Sequence, residues 1–392
     1  MREGWTYKKL GEVCTSITDG SHNPPKGIEH SEYRMISSQN VFDDDLRIDD
    51  ETVRFLTEED HYKEDKRTKL FKDVVLLTIV GTIGRACVLK GTEGFITLQR
   101  SVSALHPSSE IHPRFLMHSL IGNRERLNQE AHGIAQRGIY LRQLSELEIP
   151  IPPLSEQQSI VAELDKINEL ISLKKAQLSD LDALAQSIFY DMFGDPIENE
   201  KGWEVKKLGE VCDVRDGTHD SPQYLSESEY FLITSKNIQG DIIDYANVNY
   251  ISKEDYDSIN KRSYVDEGDI IMGMIGTIGK PIIVHKNNLK FCVKNVALIK
   301  FPESCLVKNV YVKALLDNDS YKQYLLSLNK GGTQKFVALG TLRTLKCPLP
   351  PLSLQQKFAK RIELIEQQKA QISSTIKDLE TLLASRMQYW FD

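Results

Sequence analysis

Two stretches of this chain carry apolar residues in a strict four-then-three alternation. In the first they fall at Ile160, Leu164, Ile167, Ile171, Leu178, Leu181, Ala185, Ile188 and Met192, with Lys174 the one polar interruption. In the second they fall at Phe358, Ile362, Ile365, Ile372, Ile376, Leu379, Leu383 and Trp390, interrupted by Lys369 and Arg386. Such a seam, sustained over more than four heptads, predicts two long helices that pair as a coiled coil. Pro152-Pro153 and Pro350-Pro351 punctuate the chain just ahead, placing Ser155 and Ser353 where N-caps stand. A helix from Ser155 to Phe193 is roughly 55–60 Å long at about 1.5 Å per residue.

Ahead of each seam the texture differs. Val74 to Val80 and Ile270 to Ile275 are short, apolar, β-prone runs ended by glycine, as buried strands are. Pro113 to Leu120 reads as a short helix with proline in its first turn, and Asn309 to Leu326 as its counterpart. Short strands mixed with a few helices predict an α+β fold.

The chain is also written twice. Gly4-Trp5 and Lys8-Lys9-Leu10-Gly11-Glu12-Val13-Cys14 return as Gly202-Trp203 and Lys206-Lys207-Leu208-Gly209-Glu210-Val211-Cys212. Asp19-Gly20-Ser21-His22 returns as Asp216-Gly217-Thr218-His219, and Lys66-Arg67 as Lys261-Arg262. Gly81-Thr82-Ile83-Gly84 returns as Gly276-Thr277-Ile278-Gly279. Pro152-Pro153-Leu154-Ser155-Glu156-Gln157-Gln158 returns as Pro350-Pro351-Leu352-Ser353-Leu354-Gln355-Gln356. A period of nearly half the chain is a domain, not a solenoid repeat. The expected layout is therefore a globular domain at 1–152, a spacer helix at 153–195, a second domain at 200–350 and a second helix at 351–392. The second domain lies between the two helices, so geometry admits either direction; a pseudo-twofold pair crossing its axis runs antiparallel, which is the expected orientation.

Composition adds limits. No run approaches the roughly 20 apolar residues of a membrane span, and the start, Met1-Arg2-Glu3-Gly4-Trp5, has no apolar signal region. Six cysteines without a C-x-x-C pair suggest reduced structural thiols and a cytoplasmic protein without metal or other cofactor. The formal charge of −7 works against nucleic-acid binding unless the cations gather on one surface or partners share the phosphates.

The doubled order of Trp-x-x-x-Lys-Leu-Gly-Glu, Asp-Gly-(Ser/Thr)-His, Gly-Thr-Ile-Gly and Pro-x-Pro-Pro-Leu-x-x-Gln-Gln resembles the specificity subunits of type I restriction-modification systems. The resemblance covers essentially the whole chain. It implies two target-recognition domains on double-stranded DNA, each reading one half of a split target. It also implies two copies of a methyltransferase (modification) subunit, translocating nuclease (restriction) subunits, and no catalytic residues in this chain.

Base edges are read by Arg, Lys, amide and hydroxyl side chains on closely approaching loops. The candidates are Ser21, His22 and Lys26 with Thr218 and His219; Gln39 and Asn40 with Lys236 and Asn237; and, separately, Arg100 and Asn295. Thr82, Gly84 and Arg85 pair with Thr277, Gly279 and Lys280, and Gln136 and Arg137 with Gln334 and Lys335. Each has a plainer account: glycine turns, amide caps or solvated loops. The differences at Gln39/Lys236, Arg85/Lys280 and Arg100/Val296 predict an asymmetric target. The rivals are a stand-alone adenine methyltransferase or nuclease, and a scaffold with no DNA role. Asn23-Pro24-Pro25 hints at a methylase motif, but Lys26 stands where a stacking aromatic is required.

Overall fold

The computed structural model describes residues 4–132, 137–239, 242–274, 280–285, 288–328 and 337–391. They fall into two compact units, Met1–Lys175 with Ser374–Asp392, and Ala176–Ser373.

In unit 1 the fully buried run Val75–Thr78 lies inside an antiparallel sheet, between Val102–Pro107 and Ala86–Val88, with Cys14–Asp19 on the far side of Val102–Pro107. A second sheet pairs Tyr33–Ile36 in parallel with Phe95–Leu98. Thr6–Lys9 pairs with Glu148–Ile151, which ties the two ends of the globular part together. Unit 2 repeats this plan. Asp213–Asp216, Val296–Lys300, Ile270–Gly273 and Pro281–Ile283 form the first sheet in that order. Tyr230–Thr234 runs parallel to Lys290–Lys294, and Glu204–Lys207 pairs with Lys346–Leu349. The α+β reading holds in both.

The long helices are Leu154–Phe193 and Leu352–Phe391, 40 residues each. They start one residue earlier than expected. Ser155 and Ser353 are not N-caps: the carbonyls of Pro153 and Pro351 already accept the first intrahelical bonds. The lock at each start is a glutamine. Gln157, fully buried, accepts from the His112 N–H (2.8 Å) and donates to the carbonyls of Pro152 (2.9 Å) and Glu110 (3.0 Å). Gln355 does the same with Lys308 (2.8 Å), Pro350 (2.8 Å) and Leu306 (3.2 Å).

Within each unit the partner residues on the second helix fall in number as those on the first rise. Glu163 meets Arg386 and Lys175 meets Glu380 in unit 1. Asp182 meets Lys369 and Phe189 meets Phe358 in unit 2. The helices are antiparallel. The seam residues Ile160, Leu164, Ile167, Ile171, Leu181, Phe358, Ile365, Ile372 and Ile376 are buried, while Leu178, Ile188, Ile362, Leu379 and Leu383 are half-buried. Two polar interruptions are paired. Lys369 reaches Asp182 at 2.7 Å, and Arg386 grips Glu163, which also accepts from Trp390 Nε1 at 3.2 Å.

One expected helix is two. Asn309–Asp317 ends at Asn318, whose side chain accepts from the Tyr321 N–H (3.2 Å) and caps a second helix, Asp319–Ser327. The apolar period ran through this break because both pieces bury one face, and an internal Asn cap is silent in such a pattern.

Candidate nucleic-acid interface

The Asp-Gly-Ser-His loop follows the strand Cys14–Asp19 and lies against the turn after Phe95–Leu98. A Cβ on Gly20 would stand 2.2 Å from the Leu98 carbonyl, so only glycine fits. The Ser21 N–H donates to the Leu98 carbonyl (2.8 Å), and the Arg100 N–H donates to the Ser21 carbonyl (2.9 Å). In unit 2, a Cβ on Gly217 would stand 2.3 Å from the Val293 carbonyl, and the Asn295 N–H donates to the Thr218 carbonyl (3.2 Å). Arg100 therefore corresponds to Asn295, and the expected match with Val296 is off by one residue. The pair still differs in chemistry.

The buried Asp19 holds a histidine and an arginine at once. One carboxylate oxygen accepts from His22 Nε2 at 2.6 Å, and the other pairs with Arg67. Unit 2 repeats this: Asp216 pairs with His219 Nε2 at 2.9 Å and with Arg262. His219 Nδ1 also meets Asn295 Oδ1 at 2.9 Å. Hydrogen bonds to Asn295 and Asp216 push the His219 imidazole above its ordinary value, against burial and the Arg262 charge.

From this loop a continuous set of turns extends across unit 1. Gln99 accepts from Ser101 Oγ at 2.5 Å, and Ser101 Oγ accepts from the Ser38 N–H at 3.0 Å. With Gln39, Arg54, Gly81 and Arg100 these line an open, mostly polar cleft of about 400 Å³. The Gly81 N–H donates to the Arg137 carbonyl (3.3 Å), while the Arg137 guanidinium donates to the Asn128 carbonyl (2.7 Å).

Several expected readers face inward. Asn40 is buried and closes its own hairpin, accepting from the Ser37 N–H (2.9 Å) and donating to the Arg47 carbonyl (3.0 Å) and Thr52 Oγ1 (2.8 Å). Asn237 does likewise with Thr234 (3.0 Å), Asn247 (2.9 Å) and Asp244 (3.2 Å). Both amides are spent on closing these turns. Ser21 is buried, and Thr218 caps the Asp220 N–H (3.1 Å). Gly84 lies beneath Arg124 with φ of 87°, so its glycine serves the turn itself. Arg85 is half-buried over the Phe42 ring, 5.0 Å from its centroid. His22, Lys26, Gln39, Thr82, Arg100, Arg137, His219, Lys236 and Lys280 are exposed, and Asn295 is half-buried. Gln136, Thr277, Gly279, Gln334 and Lys335 lie outside the described residues. Sequence reading did not single out Gln99 and Arg54, which line the cleft, or Arg67 and Arg262, which pair with the buried aspartates. The doubled Lys-Arg pair was the available signal for Arg67 and Arg262.

A half-buried network ties the globular part of unit 1 to the first long helix. Arg114 forks over Asp44 (2.8 and 2.7 Å) and over Asp165 of the first long helix (2.5 and 2.7 Å), and buried His118 reaches Asp165 at 2.8 Å. Burial alone raises the Asp165 carboxyl, but the bonds from His118 and Arg114 outweigh it and hold the group at about 2. That is below the value of about 3.9 for an unfolded Asp, so the carboxylate stabilises the unit above that pH and the benefit is lost as pH falls toward 2. Discounted for partial exposure, Asp165→Asn is expected to cost roughly 1–2 kcal/mol at neutral pH. Urea unfolding of wild type and variant should converge at strongly acid pH. A gap that is constant with pH would show that the charge of Asp165 carries none of it.

Residues 2–183 and 200–381 each match the family model described as the type I restriction modification DNA specificity domain. The chain belongs to that family. Its members are the non-catalytic DNA-recognition components of complexes with methyltransferase and restriction subunits. The type I restriction enzyme MjaVIII specificity subunit of Methanocaldococcus jannaschii is 23% identical over 301 residues, covering 69% of this chain and 68% of that protein. The fold matches the type I restriction-modification S subunit from M. genitalium (TM-score 0.55, 16% identity, 99% of this chain and 96% of that one). It also matches a chain solved under the description of complex assembly and conformational transition of the type I R-M system (TM-score 0.57, 17% identity, 100% and 98%). Among the described residues no helix is long and apolar enough to cross a membrane, and no group of His, Cys, Asp and Glu is arranged to hold a metal.

Proposed function

We propose that this specificity subunit recognises a bipartite, asymmetric DNA target in the cytoplasm. The domains 1–152 and 200–350 each read one part, and the helices at 153–195 and 351–392 set the unread gap. Two methyltransferase subunits and the restriction subunits dock on it, and the partners share the grip on phosphates that a chain of charge −7 makes weaker.

The observation that carries this reading is a common loop frame bearing different side chains. The exposed Gln39 corresponds to the exposed Lys236, Arg85 to Lys280, and the exposed Arg100 to the half-buried Asn295. Amide, guanidinium and ammonium groups prefer different base edges, so one frame with two reader sets selects two different half-sites. The test is to co-express the chain with its methyltransferase partner and map adenine methylation across the host genome. A split motif with unlike halves is expected. A single perfect palindrome would overturn the asymmetry, and methylation that does not depend on this chain would overturn the role.

A further inference from the structure

We infer that Arg67 and Arg262 are seats for backbone phosphate, one in each unit, each aimed by a buried aspartate that it shares with a histidine. This rests on the proposed DNA-reading role and adds to it two contacts that carry no sequence information.

The argument begins with what the two units share and what they do not. Residues that read bases must differ between readers of different half-sites, whereas a residue that only grips the sugar-phosphate backbone is free to stay the same. The loop positions 39/236 and 100/295 have diverged. The constellation Asp19, His22 and Arg67 is instead reproduced atom for atom as Asp216, His219 and Arg262. It sits directly beside the diverged positions, since the same loop's carbonyl accepts from Arg100 in unit 1 and from Asn295 in unit 2.

The burial pattern suits a ligand better than a staple. Each aspartate side chain is only 8% or 9% exposed, while Arg67 and His22 are 49% and 55% exposed and Arg262 and His219 are 64% and 61%. An ion pair with an open outer face adds little to stability. What it does supply is orientation: the inner edge of the guanidinium is pinned by a fixed carboxylate, and the rest of its planar fork of donors faces solvent. Each arginine ends a helix, Glu58–Thr68 or Lys253–Ser263, where the dipole favours a cation. The dipole accounts for a positive residue there but not for its aim at the reading loop. One carboxylate is shared by an arginine and a histidine in each unit, which leaves the outer donors of the guanidinium to a phosphodiester.

The test uses the chain complexed with its methyltransferase partner and two labelled duplexes, one of arbitrary sequence and one carrying the methylated motif. Arg67→Gln and Arg262→Gln are each expected to weaken both duplexes by a similar factor, roughly three- to ten-fold. Each should also make the slope of log affinity on log salt shallower by about one. Arg67→Lys should keep the slope, because the charge remains. A variant that melts earlier but keeps the wild-type slope would overturn the seat and leave a structural staple. A variant that changes base preference in one half-site would make that arginine a base reader, which also overturns it. If the wild-type complex prefers the motif while the glutamine variants match its slope, only the seat fails. A wild-type complex with no motif preference sinks the DNA-reading role itself.

Discussion

Gly20→Ala is expected to abolish target recognition by unit 1 and to lower its stability by about 3 kcal/mol, from overpacking and lost hydrogen bonds together. The added Cβ would lie 2.2 Å from the Leu98 backbone, which is part of a parallel strand pair and cannot yield as a side chain does. The loop must move instead. That breaks the bonds between Ser21 and Leu98 and between Arg100 and Ser21, and it pulls Asp19 away from His22 and Arg67. A fall in melting temperature of roughly 6–12 °C follows for a unit of this size. Methylation mapping should lose the half-site read by unit 1. A variant that melts and methylates as wild type does would show that the loop is not held as described.

Phe358→Ala is the second large effect, with an expected loss of about 3–5 kcal/mol in unit 2. The ring is fully buried between Phe189 and Phe193 of the first long helix, at centroid distances of 5.9 and 5.2 Å, with Tyr311 packed against the same two rings. Its removal leaves a cavity walled by aromatic rings that are tied to separate elements and cannot collapse together. Amide hydrogen exchange over residues 176–373 should accelerate sharply, and the urea midpoint should fall. Retained protection along Leu352–Ser373 would mean the helix start is held by Gln355 alone and not by the aromatic cluster.

The seams and the doubling were plain in one dimension because both are periodic. A residue every three or four places, or a motif returning half a chain later, needs no knowledge of distant contacts. The antiparallel pairing followed from the doubling and is borne out within each unit by the pairs Glu163–Arg386 and Asp182–Lys369. The site was less legible. Asn40 and Asn237 looked like base readers because an exposed amide and a capping amide are the same letter, and only burial separates them. Arg67 lies 48 positions from Asp19, so no local pattern joined them.

The doubled motifs carried the resemblance to the family, and spacing along the chain determined the two-part plan, the helix pair and the likeness of the two loop frames. Each of these is a regularity along the chain, produced by helical periodicity or by duplication. Tertiary structure alone decided which polar side chains close their own turns and which stand exposed around the cleft at Gln39 and Arg100. It also decided that a buried aspartate gathers a histidine and a distant arginine into one cluster in each unit. The reason is physical: burial and hydrogen-bond partners are set by strands brought together from far apart, as Tyr33–Ile36 and Phe95–Leu98 are, and a polar residue's role depends on which of its bonds that packing has already used.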